Sequence, residues 1–155
     1  MISLINTHFG EGYADAYFSN EILKEGYQYL SNENNSAVLI FSPLEYNPKL
    51  FGYSENAMVL NVIVVDQSQQ NRGAASELLN EFFEMYALQF DIIIPLWNYK
   101  GSENLKRWIV KKGGELVETF NEYWREESLE KNYVCLQCGT PPCWCGMDLY
   151  VIKAE

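Results

Sequence analysis

"VDQSQQNRGAASELLNEFFEMY", Val65 to Tyr86, joins the most apolar run of the chain to its clearest helical pattern. The run is "AMVLNVIVV", Ala57 to Val65, β-branched and apolar on both faces. That is the habit of a strand covered on both sides in an α/β sheet. After a polar turn, Ala75, Leu78, Leu79, Phe82, Phe83 and Tyr86 recur at helical spacing. Ser76, Glu77, Asn80, Glu81 and Glu84 take the opposite face, so an amphipathic helix is expected. A helix start offers free backbone N–H groups and the positive end of the peptide dipoles, a seat for an anion. Gly73, Ala74 and Ala75 are small enough to let phosphates approach the N–H groups of Arg72 through Ala75. Arg72, the only Lys or Arg between Lys49 and Lys100, could add a charge. The bland alternative is a glycine needed for turn geometry alone. A P-loop and a dinucleotide fingerprint are both absent: no Gly-Lys-Ser/Thr ends the turn, and there is no G-x-G-x-x-G.

The flanks extend the alternation. "SNEILKEGYQYLS" places Ile22, Leu23, Tyr27 and Leu30 on one helical face, with Ser19 or Asn20 as cap. "SAVLIFS" (Ser36–Ser42) reads as a buried strand and "PLEYNPKLFGYSEN" as a loop. "FDIIIPLW" (Phe90–Trp97) is a further buried strand. "SENLKRWIVKKGG" is a helix with Ser102 as N-cap, Glu103 in the first turn and glycines as the stop. "GELVETFNEYW" and "MDLYVIK" close the chain as strands. The order implies an α/β fold with a mixed, largely covered sheet.

With 155 residues, a single domain spanning 1–155 is expected. A net charge of −10 and a pI near 4.6 argue against nucleic acid as partner and fit a cationic amine or basic segment. Acidity that serves only solubility is the plainer reading. No stretch approaches a membrane span, and the N-terminus has no signal-peptide pattern, so a cytoplasmic protein without a membrane partner is expected. The lone histidine, His8, carries no assignable role.

All 4 cysteines fall in "CLQCGTPPCWC": Cys135, Cys138, Cys143 and Cys145. C-x-x-C followed by Gly is the turn that brings two thiolates onto one tetrahedral metal, and the second pair would complete a zinc site. Because alternate residues of a regular strand face opposite ways, Cys143 and Cys145 converge only if their segment curls. Disulfides and free thiols beside Trp144 are the alternatives. The cluster is expected at the tip of a terminal hairpin between "YVCL" and "MDLYVIK".

Gln70-Asn71-Arg72-Gly73-Ala74-Ala75 resembles the GNAT N-acetyltransferase pattern Arg/Gln-x-x-Gly-x-Gly/Ala. The resemblance covers Met58 to Gly114 and implies a GNAT-like, centrally splayed sheet flanked by helices. It implies that acetyl-CoA is held by Ile63 and Val65 on the strand, by Gln70, Asn71, Arg72, Gly73, Ala74, Ala75 and Ser76 around the pyrophosphate, and by Ser102 or Asn104. The implied chemistry is direct acyl transfer to an amine. Yet the strand position that many members fill with a carboxylate is within "MVLNVIVV", where Asn61, read as sharing a face with Val59, Ile63 and Val65, can only orient water. Alignment through Gly113 puts Ile109 where a tyrosine acid is common. Glu55 or Tyr53 before the strand, Tyr99 after "IIIPLWN", and Glu122 or Tyr123 are the substitutes available. The leading expectation is an acetyl-CoA-dependent N-acetyltransferase, with Asn61, Glu55 and Tyr99 as candidate catalytic groups. The alternatives are an inactive acyl-CoA or protein-binding member of the fold and a zinc-centred interaction module. A homodimer is a candidate assembly that the sequence does not fix.

Overall fold

The computed structural model describes residues 1–14 and 26–155. Helix α1 (Ile2–Phe9) is followed by β1 (Gln28–Ser31), β2 (Ala37–Pro43) and β3 (Ala57–Val65). Helix α2 (Ala74–Tyr86), β4 (Asp91–Trp97) and α3 (Glu103–Lys111) come next. β5 (Glu115–Phe120), the short helix α4 (Arg125–Lys131) and β6 (Met147–Ile152) complete the order. The sheet runs β1-β2-β3-β4-β6-β5. Every neighbouring pair is antiparallel except β3 and β4, which are parallel.

One face carries α2 and α3. Leu78, Leu79 and Phe82 of α2 and Ile109 of α3 pack on Leu39, Phe41, Met58, Leu60, Ile92 and Ile94. Phe82 is fully buried with its ring centroid 5.0 Å from that of Phe41, so the helical spacing read from the sequence is the spacing of this contact. The other face takes α1, whose fully buried Ile5 packs with Val38, Ile40, Val62 and Val64.

The central strands part soon after they meet. β3 and β4 pair only from Ala57 to Val59 against Asp91 to Ile93, although β3 continues to Val65 and β4 to Trp97. The cause lies one strand over. Phe41 pairs with Leu60 and Ile40 with Val62, leaving Asn61 as an extra, unpaired residue in β3. Such a bulge bends its strand and raises the local twist, steering the end of β3 away from β4. It also exchanges faces. Met58 and Leu60 face α2 before the bulge, while Ile63 and Val65 pack toward α2 after it. Val59 faces the opposite way, beside Ile93 and Leu149. The expected common face of Val59, Asn61, Ile63 and Val65 is therefore corrected: the alternation breaks at Asn61.

Asn61 Nδ2 donates to Ser42 Oγ at 2.7 Å, and that buried hydroxyl also accepts from Asn47 Nδ2 at 2.9 Å. Asn61→Ala removes this bond and a longer one from Nδ2 to the Val59 carbonyl at 3.4 Å, and leaves Ser42 its second donor. The expected loss in urea unfolding is about 1 kcal/mol.

Two other expectations change. Gln28–Ser31 is a strand paired with β2, so Tyr27 and Leu30 share no helical face; Ser19, Asn20, Ile22 and Leu23 lie outside the described residues. The last two strands, β5 and β6, are antiparallel neighbours joined by the long Cys-rich connection, so the C-terminal hairpin is present, but its first arm is β5 and "YVCL" is no strand of the sheet. Among the described residues no helix is long and apolar enough to cross a membrane.

Candidate active site

The parted ends of β3 and β4 open a cleft of about 1880 Å³. Along one wall run Asn61, Ile63 and Val65, with the β4-facing edge of β3 beyond Val59 unpaired by any strand. The floor of one end is the turn into α2. The side chain of Gln70 folds back, Nε2 donating to the Val65 carbonyl at 3.3 Å. Asp66 accepts from the Ser68 hydroxyl at 2.6 Å and the Ser68 N–H at 2.9 Å, and these bonds hold its carboxyl below the usual range.

Asn71 has φ 61° and Gly73 has φ 89°, so the chain turns through two left-handed residues before α2 begins. A left-handed Gly73 can start the helix without a Cβ penalty. Helix α2 has no side-chain cap, and its first internal bond runs from Glu77 N–H to the Gly73 carbonyl at 3.0 Å. The N–H groups of Asn71 through Ser76 have no hydrogen-bond partner among the described residues. This is a nest of donors at the positive end of a helix, suited to phosphate oxygens.

Ile63, Val65, Gln70, Asn71, Gly73, Ala74, Ala75, Ser76 and Asn104 all line the cleft. Arg72 does not; it is exposed, with Nη1 3.4 Å from Gln69 Oε1. Ser102 lines the cleft but does not cap α3, its hydroxyl donating instead to the Tyr99 carbonyl at 2.7 Å. Ile109 is core, whereas its neighbour Trp108 lines the cleft and donates from Nε1 to Asn80 Oδ1 at 3.2 Å.

The far end of the cleft is aromatic. Tyr99 stacks on Trp97 with centroids 4.0 Å apart, and its hydroxyl lies 3.2 Å from His8 Nε2. His8 also meets Trp97 edge-on at 6.4 Å. Burial lowers the His8 pKa from its ordinary 6.5 and raises that of Tyr99. A neutral imidazole and a protonated phenol therefore face each other across one hydrogen bond. Tyr123 and Trp124 line the same end, as does Glu127, which is paired with Lys49.

Of the three expected catalytic groups, Asn61 and Tyr99 are brought to the cleft. Glu55 is exposed ahead of β3, at the end where β3 and β4 are paired, and does not line it. Tyr53 bonds to Glu118 away from it. His8 is the addition: nothing in its local sequence marks it, because its partner Tyr99 is 91 residues away.

Behind Trp97 lie the cysteines. Their four Sγ atoms sit within 4.8 Å of one another, Cys135 and Cys143 buried and Cys138 and Cys145 half-buried, all unpaired by disulfides. Sγ of Cys145 is 3.8 Å from that of Cys135 and 3.6 Å from that of Cys138. Cys135 and Cys143 pack directly against Trp97.

No known family model matches the chain, and no curated protein matches it. Solved structures do. Smu.2055 from Streptococcus mutans UA159 aligns over 99% of this chain and 91% of its own, with TM-score 0.61 and 11% identity. The ribosomal-protein-S18-alanine N-acetyltransferase of Escherichia coli aligns over 85% of this chain and 73% of its own, with TM-score 0.55 and 12% identity. A Desulfovibrio desulfuricans protein assigned to the GNAT acetyltransferases aligns over 84% and 70%, with TM-score 0.56 and 12% identity. The fold is the GNAT fold.

Proposed function

We propose that this GNAT-fold chain is an acetyl-CoA-dependent N-acetyltransferase that passes the acetyl group directly to an amine. One observation carries the reading: a single cleft joins an uncapped helix start rich in free N–H groups to a histidine–tyrosine pair, with an unpaired strand edge between them. The pyrophosphate would occupy the donors of Asn71 to Ser76. The amide-bearing arm of the coenzyme would run along the free edge of β3, as an added strand pairs with an open edge. Cleft residues Asn104 and Trp108 bound the opposite wall on α3.

In the reaction the amine nitrogen forms a bond to the thioester carbonyl carbon, the C–S bond breaks, and the amine loses a proton while the thiolate gains one. Tyr99 is the hydroxyl suited to protonate the thiolate, and His8, neutral because it is buried, is suited to take the proton of the amine and then, as imidazolium, to return one to Tyr99. Asn61 Oδ1 has no hydrogen-bond partner among the described residues and can orient water or the amine. The aromatic end suits an amine of cationic character, in a chain whose net charge is −10, although the Glu127 carboxylate there is already paired with Lys49.

A second reading, a protein that holds acyl-CoA without turnover, draws support from the absence of any titratable side chain on β3 and from the burial of Ile109. Calorimetry with acetyl-CoA tests the premise common to both, and failure to bind would sink both. Release of free CoA across a panel of small amines and peptide N-termini then divides them: turnover supports the first reading, and binding without turnover supports the second.

The departure of Arg72 from the cleft makes its own prediction. Arg72→Ala is expected to weaken acetyl-CoA by less than about threefold, the size of a screened surface charge effect. A tenfold loss in the same calorimetric titration would place the guanidinium on the phosphates after all.

A further inference from the structure

We infer that Cys135, Cys138, Cys143 and Cys145 bind one zinc ion as a tetrathiolate, and that this metal fixes the wall of the cleft that carries His8 and Tyr99. A Zn–S bond of about 2.3 Å gives a tetrahedron with S···S edges of about 3.8 Å. The separations of 3.6 and 3.8 Å at Cys145 are edges of that size, and all four sulfurs lie within 4.8 Å of one another. The curl that the C-x-C pair needs is present, since Cys143 and Cys145 both face Cys135 and Cys138.

The surroundings are those that thiolates require. The Gly139 N–H donates to the Cys135 carbonyl at 2.8 Å and the Cys135 N–H to the Gly139 carbonyl at 2.9 Å, closing a tight turn through a left-handed Gly139. The Trp144 N–H lies 3.3 Å from the Cys138 sulfur. N–H donors aimed at sulfur stabilise thiolate and tune a bound metal. The N–H of Cys143 donates to the buried Ser128 hydroxyl at 2.8 Å, fixing the second pair to α4.

The cluster is tied to the cleft by backbone as well as packing. The Leu136 N–H donates to the Phe9 carbonyl at 3.3 Å and the Val134 N–H to the Glu11 carbonyl at 3.1 Å, so the cysteine segment holds the end of α1 next to His8. At Gly10 the two segments touch: a Cβ there would stand 1.6 Å from the Val134 oxygen, and φ is 131°. From the other side, Cys135 and Cys143 support Trp97, on which Tyr99 stacks. Binding takes Zn²⁺ plus four thiols to a tetrathiolate and releases four protons to solvent, so uptake strengthens as pH rises.

The inference stands apart from acetyl transfer, since metal content needs no substrate. Protein purified under reducing, chelator-free conditions is expected to carry about one zinc per chain by elemental analysis, and Co²⁺ exchanged into it to show thiolate-to-cobalt charge transfer with tetrahedral visible bands. Cys138→Ser is expected to lose metal or bands; if that variant does not fold, the parent protein's metal content and cobalt spectrum still decide. Metal-free protein that takes up neither ion while its thiols alkylate freely would overturn the site, as would a disulfide found after alkylation without reductant. For the second half, His8 is the only histidine, so one imidazole resonance reports the wall. Chelation is expected to move its titration up toward the ordinary histidine value, and an unmoved titration in metal-stripped protein would overturn the positioning role.

Discussion

Gly73→Glu is expected to lower affinity for acetyl-CoA by about 10³-fold, roughly 4 kcal/mol, in calorimetric titration. Two costs add. Gly73 sits at φ 89°, and a side chain in that left-handed region costs about 1–2 kcal/mol. The larger cost is electrostatic. The N–H groups of Asn71 through Ser76 are unpaired, and a carboxylate placed among them would take the donors meant for phosphate while repelling it. Hydrogen bonds to a charged group contribute about 1.5–3 kcal/mol each, so losing one or two of them accounts for the remainder. Gly73→Ala separates the two costs. Nothing lies within 4 Å of a Cβ built there, so Ala pays only the backbone cost and is expected to weaken binding by about tenfold or less. If Glu and Ala weaken binding equally, the nest does not hold the anion. The contrast with Arg72→Ala sharpens the point, because the sequence makes Arg72 the conspicuous charge and the structure turns it toward Gln69.

How far the sequence could be read depended on the range of the interaction involved. β3 matches the run Ala57–Val65, and α2 opens one residue before the first apolar position of its stripe, because both elements are specified by burial along their own length. The mixed α/β sheet follows from the order of those elements. The parting of β3 from β4 is not a local property: it depends on Asn61 having no partner in β2, and a single polar residue in an apolar run does not announce a bulge. The same one-residue slip moved Val59 to the other face. β1 was misread because Tyr27 and Leu30 fit a helical stripe, while pairing with β2 decides in favour of a strand. α1 has Ile2, Ile5 and Phe9 at helical spacing, but three apolar positions over eight residues with no side-chain cap make too short a stripe to mark a helix. The cysteines were legible since their signal is spacing. His8 was not, since its meaning comes from Tyr99, Trp97 and a fold that brings both to the end of α1.

That pair gives the other large expected effect. Tyr99→Phe is expected to reduce kcat for amine acetylation by about 10²-fold, the scale of a positioned acid or base, while leaving calorimetric acetyl-CoA affinity unchanged. The ring still stacks on Trp97, so only the hydroxyl 3.2 Å from His8 is lost. His8→Gln should give a similar loss, since an amide can accept a hydrogen bond from Tyr99 but cannot take up a proton. If the two act as one relay, the double variant is expected to be no slower than the worse single, because members of a unit are not additive. The pH dependence fixes which group is the base. Burial lowers the His8 pKa below 6.5, so the imidazole stays neutral through neutral pH and the acid limb of kcat/KM should fall at a pH below that ordinary value. The same shift bears on stability: the unfolded chain takes its proton at a higher pH than the folded one, so the contribution is intact above 6.5 and is lost as pH falls through the folded value. In His8→Gln that acid limb should vanish from kcat/KM. A limb that survives unchanged in His8→Gln would assign the base to another group and leave Tyr99 alone at the aromatic end of the cleft.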